Sequence, residues 1–262
     1  MRKVYFGNLP ANQFHLLQKF SDQVDHAIFT RDGGVSKGPY ESLNVRFGVG
    51  DAEPNVRRNR TLILKALGVK PEMLISANQT HSKNVQIIDE EFLRYHPPGT
   101  EPTGVDGFVT EVDGVALMMQ VADCQAIIMF DPGRRVIAAF HAGWKGLASD
   151  ISGETINLLR RHYDVDPKNL MVGIGPSLGP CCAFFSNPEE ELPESFHPFI
   201  DDEKRVDLWA YSVQQLQKHG IQKRHIELAK VCTQCDQKKR FFSFRGEHGI
   251  TGRFGVAVSL KV

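Results

Sequence analysis

The chain has 262 residues, 41% hydrophobic and 24% charged, the size and make-up of one large globular domain. Its 31 Lys and Arg balance 31 Asp and Glu, so no bulk field draws in nucleic acid or an anionic membrane, and neither is expected as a partner. No run approaches the roughly 18 apolar residues that span a bilayer, and Gly7, Asn8, Pro10, Asn12 and Gln13 break the apolar stretch of the basic start, a poor signal peptide; the expected compartment is the cytoplasm.

Residues 25–49 read as short extended pieces around a glycine turn. Residues 55–67 predict a helix closed by Gly68, with Val56, Leu62, Leu64 and Leu67 on one broad face. Segment 72–88 reads as strand, polar break, strand, and 89–106, carrying Pro97, Pro98 and Pro102, as a surface loop. Three apolar runs follow, GVALMMQVA, QAIIMFD and RVIAAFH. Residues 146–163 predict a helix despite Gly153, and LMVGIGPSL a buried strand entering a Gly/Pro loop. Residues 208–219 predict an amphipathic helix stopped by Gly220, and the tail 240–260 two strands around a glycine turn. Strands and helices mix without a strict βαβ rhythm and no linker divides the chain, so one α+β domain over residues 1–262 is expected.

The chemistry-bearing residues sit where apolar runs break: ANQTHSKNV, VADCQ and FHAGWKG. DPGR at 131–134 is a turn signal. A hairpin centred between Pro132 and Gly133 sets Cys124 opposite His141, on one face and about 4.5–5.5 Å apart at Cβ. A thiolate and an imidazole suit zinc or copper. His81, also at a strand break, offers a third ligand, and three ligands with an open fourth position are the pattern of a catalytic zinc that activates water near neutral pH. The same His₂Cys set also holds copper in electron-transfer sites. Against this stands the plainer reading of a core cysteine and hydrogen-bonded histidines. The five cysteines, an odd number without a signal sequence, point to thiols or metal ligands rather than a disulfide framework. Cys181-Cys182 and Cys232-x-x-Cys235 either converge as a second, four-thiolate zinc site or are partly buried thiols.

The strings TRDGGVS, YESLN, NQTHSKNV, DGFVT, VADC, HAGWKG, GIGPSLGPCC, CTQC and FFSFRGEHGITGR resemble, in order, the polyphenol-oxidase (laccase-domain) family, also known as a purine nucleoside phosphorylase family and as peptidoglycan-editing factors. The likeness runs from about residue 28 to residue 258. It implies zinc ligands at His81, Cys124 and His141, a layered α/β/β/α fold with mixed sheets, and an enzyme that phosphorolyses adenosine, inosine, guanosine and methylthioadenosine and deaminates adenosine. Its partners would be purine nucleosides and phosphate; the oligomeric state is left open. The resemblance also carries Arg31, Asn44, Gln79, Asp123, Lys145, Phe242 and Arg245 into pocket roles. Arg31, Lys145 and Arg245 would bind phosphate or ribose oxygens, Phe242 would stack on a base, and Asp123 would orient a ligand or handle a proton beside Cys124 and His141. The chain departs from the family pattern at Lys145, where Arg is usual, at Gln125, and at Gly246-Glu247, where a second Arg is common; if that second Arg binds phosphate, its loss favours deamination over phosphorolysis. The alternatives are a copper-dependent polyphenol oxidase, disfavoured by the lack of His-x-His pairs, a metal-free Cys-His hydrolase acting in peptidoglycan editing, and a non-catalytic protein on the same scaffold.

Overall fold

The structure, a computed structural model, describes residues 1–97 and 99–262; Pro98 lies outside the described residues. Among the described residues, twelve strands form two mixed six-stranded sheets. In chain order they are β1 Arg2–Phe6, β2 Leu9–Gln13, β3 Val24–Phe29, β4 Leu74–Ile75, β5 Val85–Ile87, β6 Gly107–Thr110, β7 Ala116–Val121, β8 Gln125–Asp131, β9 Val136–Ala142, β10 Met171–Ile174, β11 Ile226–Leu228 and β12 Phe254–Leu260. One sheet has the order β1-β2-β3-β12-β7-β4, the other β11-β10-β8-β9-β6-β5. The helices are α1 His15–Gln18, α2 Glu53–Leu67, α3 Glu90–Tyr95, α4 Trp144–Ala148, α5 Ile151–Tyr163, α6 Pro188–Glu191 and α7 Leu208–Lys218. Among the described residues no helix is long and apolar enough to cross a membrane.

Side-chain alternation along the strands builds the layers. Ala126, Ile128 and Phe130 of β8 pack with Leu117, Val256 and Val258 of the other sheet in a core between the sheets. Ile127 and Met129 point the other way, onto Ile156 and Leu159 of α5 and Leu216 of α7. On the far face of the first sheet, Ala27, Met118 and Ala257 meet Ile63 of α2. The result is the α/β/β/α sandwich that the resemblance implies. Every residue of β7, β8, β9 and β12 is buried, which is why these strands read as continuous apolar runs rather than polar-apolar alternation.

The structure revises four expectations. The hairpin turn spans residues 132–135, with Arg135 at φ +50°, so Ala126 rather than Cys124 faces His141. The slip of two in register keeps side-chain parity, so the sites stay on one face. The proline-bearing segment contains α3, capped by the Asp89 carboxylate on the Phe92 N–H; its acidic first turn complements the helix dipole. The helix expected at 146–163 is two helices broken at Asp150, whose left-handed backbone turns the chain and whose side chain caps α5. The tail has one strand, β12; residues 240–253 are loop, with Phe241 and Phe242 buried. The β1-β2 hairpin is a further element, hidden in sequence by its short, mostly exposed first strand.

Candidate metal centre

The metal candidates lie at strand ends. Cys124 directly precedes β8, His141 sits near the end of β9, and His81 stands in the loop between β4 and β5. The ligand atoms of the three residues lie within 4.8 Å of one another. Cys124 Sγ is 3.7 Å from His81 Nε2, and the two imidazole rings meet edge to face at 4.7 Å. A tetrahedral zinc with bonds of 2.3 Å to sulfur and 2.0–2.1 Å to nitrogen sets S and N about 3.6 Å apart, so the donor set fits such an ion.

Asp106, not singled out from the sequence, organises the centre. Its fully buried carboxylate accepts from three successive backbone N–H groups, Thr80 at 3.1 Å, His81 at 3.0 Å and Ser82 at 2.7 Å. It also accepts from Ser82 Oγ at 2.7 Å and lies 2.9 Å from His141 Nδ1. The bond to Nδ1–H leaves His141 Nε2 as the free lone pair, the tautomer that a metal requires. The same carboxylate holds His81 in the left-handed region at φ +62°, a conformation that costs a non-glycine residue energy unless its surroundings enforce it. Burial alone would raise the Asp106 pKa; the hydrogen bonds from His141 and Ser82 override it and hold the carboxyl well below the usual range. The one signal in sequence was an aspartate leading directly into a short apolar strand, in DGFVT.

Without a metal, Cys124 and His141 are charge partners. Burial would raise the thiol pKa, but the His141 imidazolium and hydrogen bonds from His141 and His81 pull it down to about 6. Burial would lower His141; the Cys124 thiolate and Asp106 push it up to about 9. Gly143 closes the site from behind. A Cβ there would lie 2.8 Å from His81 Cδ2 and 3.0 Å from Cys124 Sγ, so the glycine of HAGWKG is needed for close approach.

The centre opens into a cleft of about 310 Å³, at the lower end of the range for small-ligand sites. Gln79 and Arg245 line it, as do Asp123, Cys124, His81 and His141. Gln79 trades two hydrogen bonds with the Gln120 backbone, at 3.1 and 2.9 Å. The Arg245 guanidinium rests on the carbonyls of Cys182 and Phe184. Asp123, at φ +87°, has both oxygens engaged, by Thr233 Oγ1, Ser243 Oγ and the Arg245 N–H. The structure does not bring Arg31, Asn44, Lys145 or Phe242 into the cleft wall. Arg31 pairs with Glu247 at 2.8 Å and covers the buried Phe242 ring at 4.4 Å. Asn44 is buried, bonding Asp51 and the Arg253 N–H, and Lys145 lies beside the Trp144 ring. In their place Arg46, Arg253, Trp144, Phe185 and Phe244 line the cleft. Phe244 is half exposed and only two residues from the expected Phe242; a loop, unlike a strand, has no periodicity to tell them apart.

Fold and centre define a two-sheet α+β protein with a His₂Cys set at the strand ends that could hold a metal ion. The family model for multi-copper polyphenol oxidoreductase laccase matches residues 25–261, and the chain belongs to that family. It is 31% identical to purine nucleoside phosphorylase YlmD of Geobacillus stearothermophilus, over 86% of each chain. It is also 31% identical to a purine nucleoside phosphorylase of Bacteroides thetaiotaomicron, over 88% of this chain and 89% of that one. The crystal structure of the Bacillus licheniformis hypothetical protein YfiH superposes with a TM-score of 0.84 at 27% identity, covering 97% of this chain and 96% of that chain.

Proposed function

We propose that this protein is a zinc-dependent purine nucleoside enzyme, a phosphorylase that takes a nucleoside and phosphate in the cleft beside His81, Cys124 and His141. One observation carries the reading: the metal set and three arginines, Arg46, Arg245 and Arg253, open on the same aromatic-walled cleft, and among the described residues none of the three forms an ion pair. The names of the relatives agree with it. Zinc in a three-ligand site supplies Lewis acidity at an exchangeable fourth position.

The chain's own groups supply the rest. Phe244 and Trp144 offer faces for a base. Arg46 and Arg253 neutralise phosphate as it meets the anomeric carbon. Asp123, with its oxygens engaged, positions the 233–245 loop rather than carrying a proton. Asp106 fixes the His141 tautomer. Adenosine phosphorolysis and deamination are separated by products: adenine and ribose 1-phosphate that require added phosphate support the phosphorylase, whereas inosine formed without phosphate dependence replaces it with a deaminase.

A second reading has its own support. Cys124, His141 and Asp106 form a thiolate, imidazole and carboxylate series, as in metal-free cysteine hydrolases. Chelation separates the two, because it would abolish a zinc enzyme and spare the hydrolase.

A further inference from the structure

We propose that Cys181, Cys182, Cys232 and Cys235 hold a second metal ion, a structural zinc distinct from the centre at His81, Cys124 and His141. The four sulfurs lie within 4.8 Å of one another, and Cys181 Sγ is 3.4 Å from Cys235 Sγ. A tetrahedron of 2.3 Å zinc–sulfur bonds has edges of about 3.8 Å. The four cysteines need only small side-chain rotations to reach it, and they crowd too closely to bracket a cluster of several irons. Four thiolates fill a tetrahedral ion and leave no position for substrate, which makes the site structural rather than catalytic.

The backbone is arranged for a thiolate at this place. The sulfur of the buried Cys232 accepts from the Gly179 N–H at 3.3 Å. A backbone N–H aimed at the sulfur favours its charged, metal-binding form. Gly179 can come so near because it has no Cβ; one would lie 2.9 Å from the Trp209 ring and 3.1 Å from Cys232 Cβ.

Position in the fold gives the ion a task. The chain leaves β10 and β11 as two neighbouring loops, joined at a single parallel bridge, Ser177 to Cys232. One loop brings Leu178 and Phe185 to the cleft wall, and the other brings Thr233 to Asp123, the neighbour of Cys124. An ion holding one cysteine pair from each loop clamps this wall, adding a cross-link to the Ser177–Cys232 bridge and the Gly179 N–H bond to Cys232 Sγ. Binding releases the thiol protons, so loading is expected to weaken in acid.

The test is metal analysis of the full chain with its first centre removed. His81→Ala with His141→Ala, purified without chelator, should retain one zinc per chain. X-ray absorption should show four sulfurs at about 2.3 Å and no nitrogen. Adding Cys235→Ser should remove that zinc; if this variant does not fold, cobalt substitution of the parent double variant should give thiolate-to-cobalt charge-transfer bands of tetrahedral intensity. The proposal is overturned if the double variant holds no zinc and its thiols react freely, or if intact mass under non-reducing denaturation shows the cysteines paired as disulfides.

Discussion

At the scale of single residues, Asp106 and Gly143 decide whether the centre exists. Asp106→Asn keeps size but gives up charge, and its amide cannot accept at both ends from residues 80–82 and His141. Zinc affinity should fall about 10- to 100-fold, the usual cost of losing such an orienting partner, with the fold intact; competitive chelator titration measures it, and unchanged affinity would remove Asp106 from its assigned place. Gly143→Ala drives a methyl against His81 and Cys124 and should displace the metal; the zinc content of the purified variant measures it, and full loading would contradict the close approach. The pH behaviour of metal-free protein follows from the two shifted groups. The Cys124 thiol is depressed to about 6, so its stabilising contribution is complete above the ordinary thiol value and is lost as pH falls through about 6. His141 is raised to about 9, so its contribution is complete below the ordinary imidazole value and is lost as pH rises through about 9. The charged pair therefore spans roughly pH 6 to 9. Alkylation of Cys124 by iodoacetamide should titrate near pH 6 in the chelated protein, and His141→Ala should shift that midpoint up toward 9. An unmoved midpoint would contradict the pairing.

At the scale of elements, Gly153 shows how tertiary contacts override propensity. An alanine in a helix interior is worth about 1 kcal/mol over glycine, yet a Cβ at Gly153 would come within 2.3 Å of Asp150 Oδ2 and 2.5 Å of His219 Nε2. Those two atoms bond each other at 2.8 Å, and the other oxygen of the same carboxylate, Oδ1, accepts the Gly153 N–H that caps α5. Gly153→Ala should therefore destabilise by about 1 kcal/mol, the size of a lost cap, where propensity alone predicts a gain; urea unfolding decides the sign. The same contrast explains what was legible in the sequence. α2 and α7 were, because each repeats a pattern over three or more turns; β7, β8 and β9 were, because fully buried strands form unbroken apolar runs. The hairpin register was not, since DPGR does not announce that Arg135 adopts a left-handed backbone and joins the turn. α3 was hidden by the prolines that follow it, and the buried polar face of α2 by its chemistry. Asn59 and Arg60 look like solvent-facing residues, yet Asn59 donates to the carbonyls of Ser42 and Asn44 and Arg60 to that of Val45, pinning the 42–45 segment.

At the scale of the whole molecule, the two sheets bring together loops that lie far apart in sequence, and the centre is made of them. His81, Cys124 and His141 were readable because thiolate and imidazole chemistry is specific and because the family motifs surround them. The cleft's cations were not, because Arg46 and Arg253 sit in loops without periodicity, while Glu247 neutralises the expected Arg31. Arg46→Gln and Arg253→Gln should each raise KM for phosphate about tenfold or more, the worth of one charge-assisted hydrogen bond, with zinc content unchanged; an effect on KM for nucleoside alone would move the phosphate elsewhere. Reversible metal removal decides whether this cleft performs zinc-dependent chemistry on a purine nucleoside. Adenosine turnover in the presence of phosphate should vanish on chelation, return when zinc is restored to wild-type protein, and fail to return in Cys124→Ala. Full turnover by the chelated protein, or none by the zinc-loaded one, would contradict it.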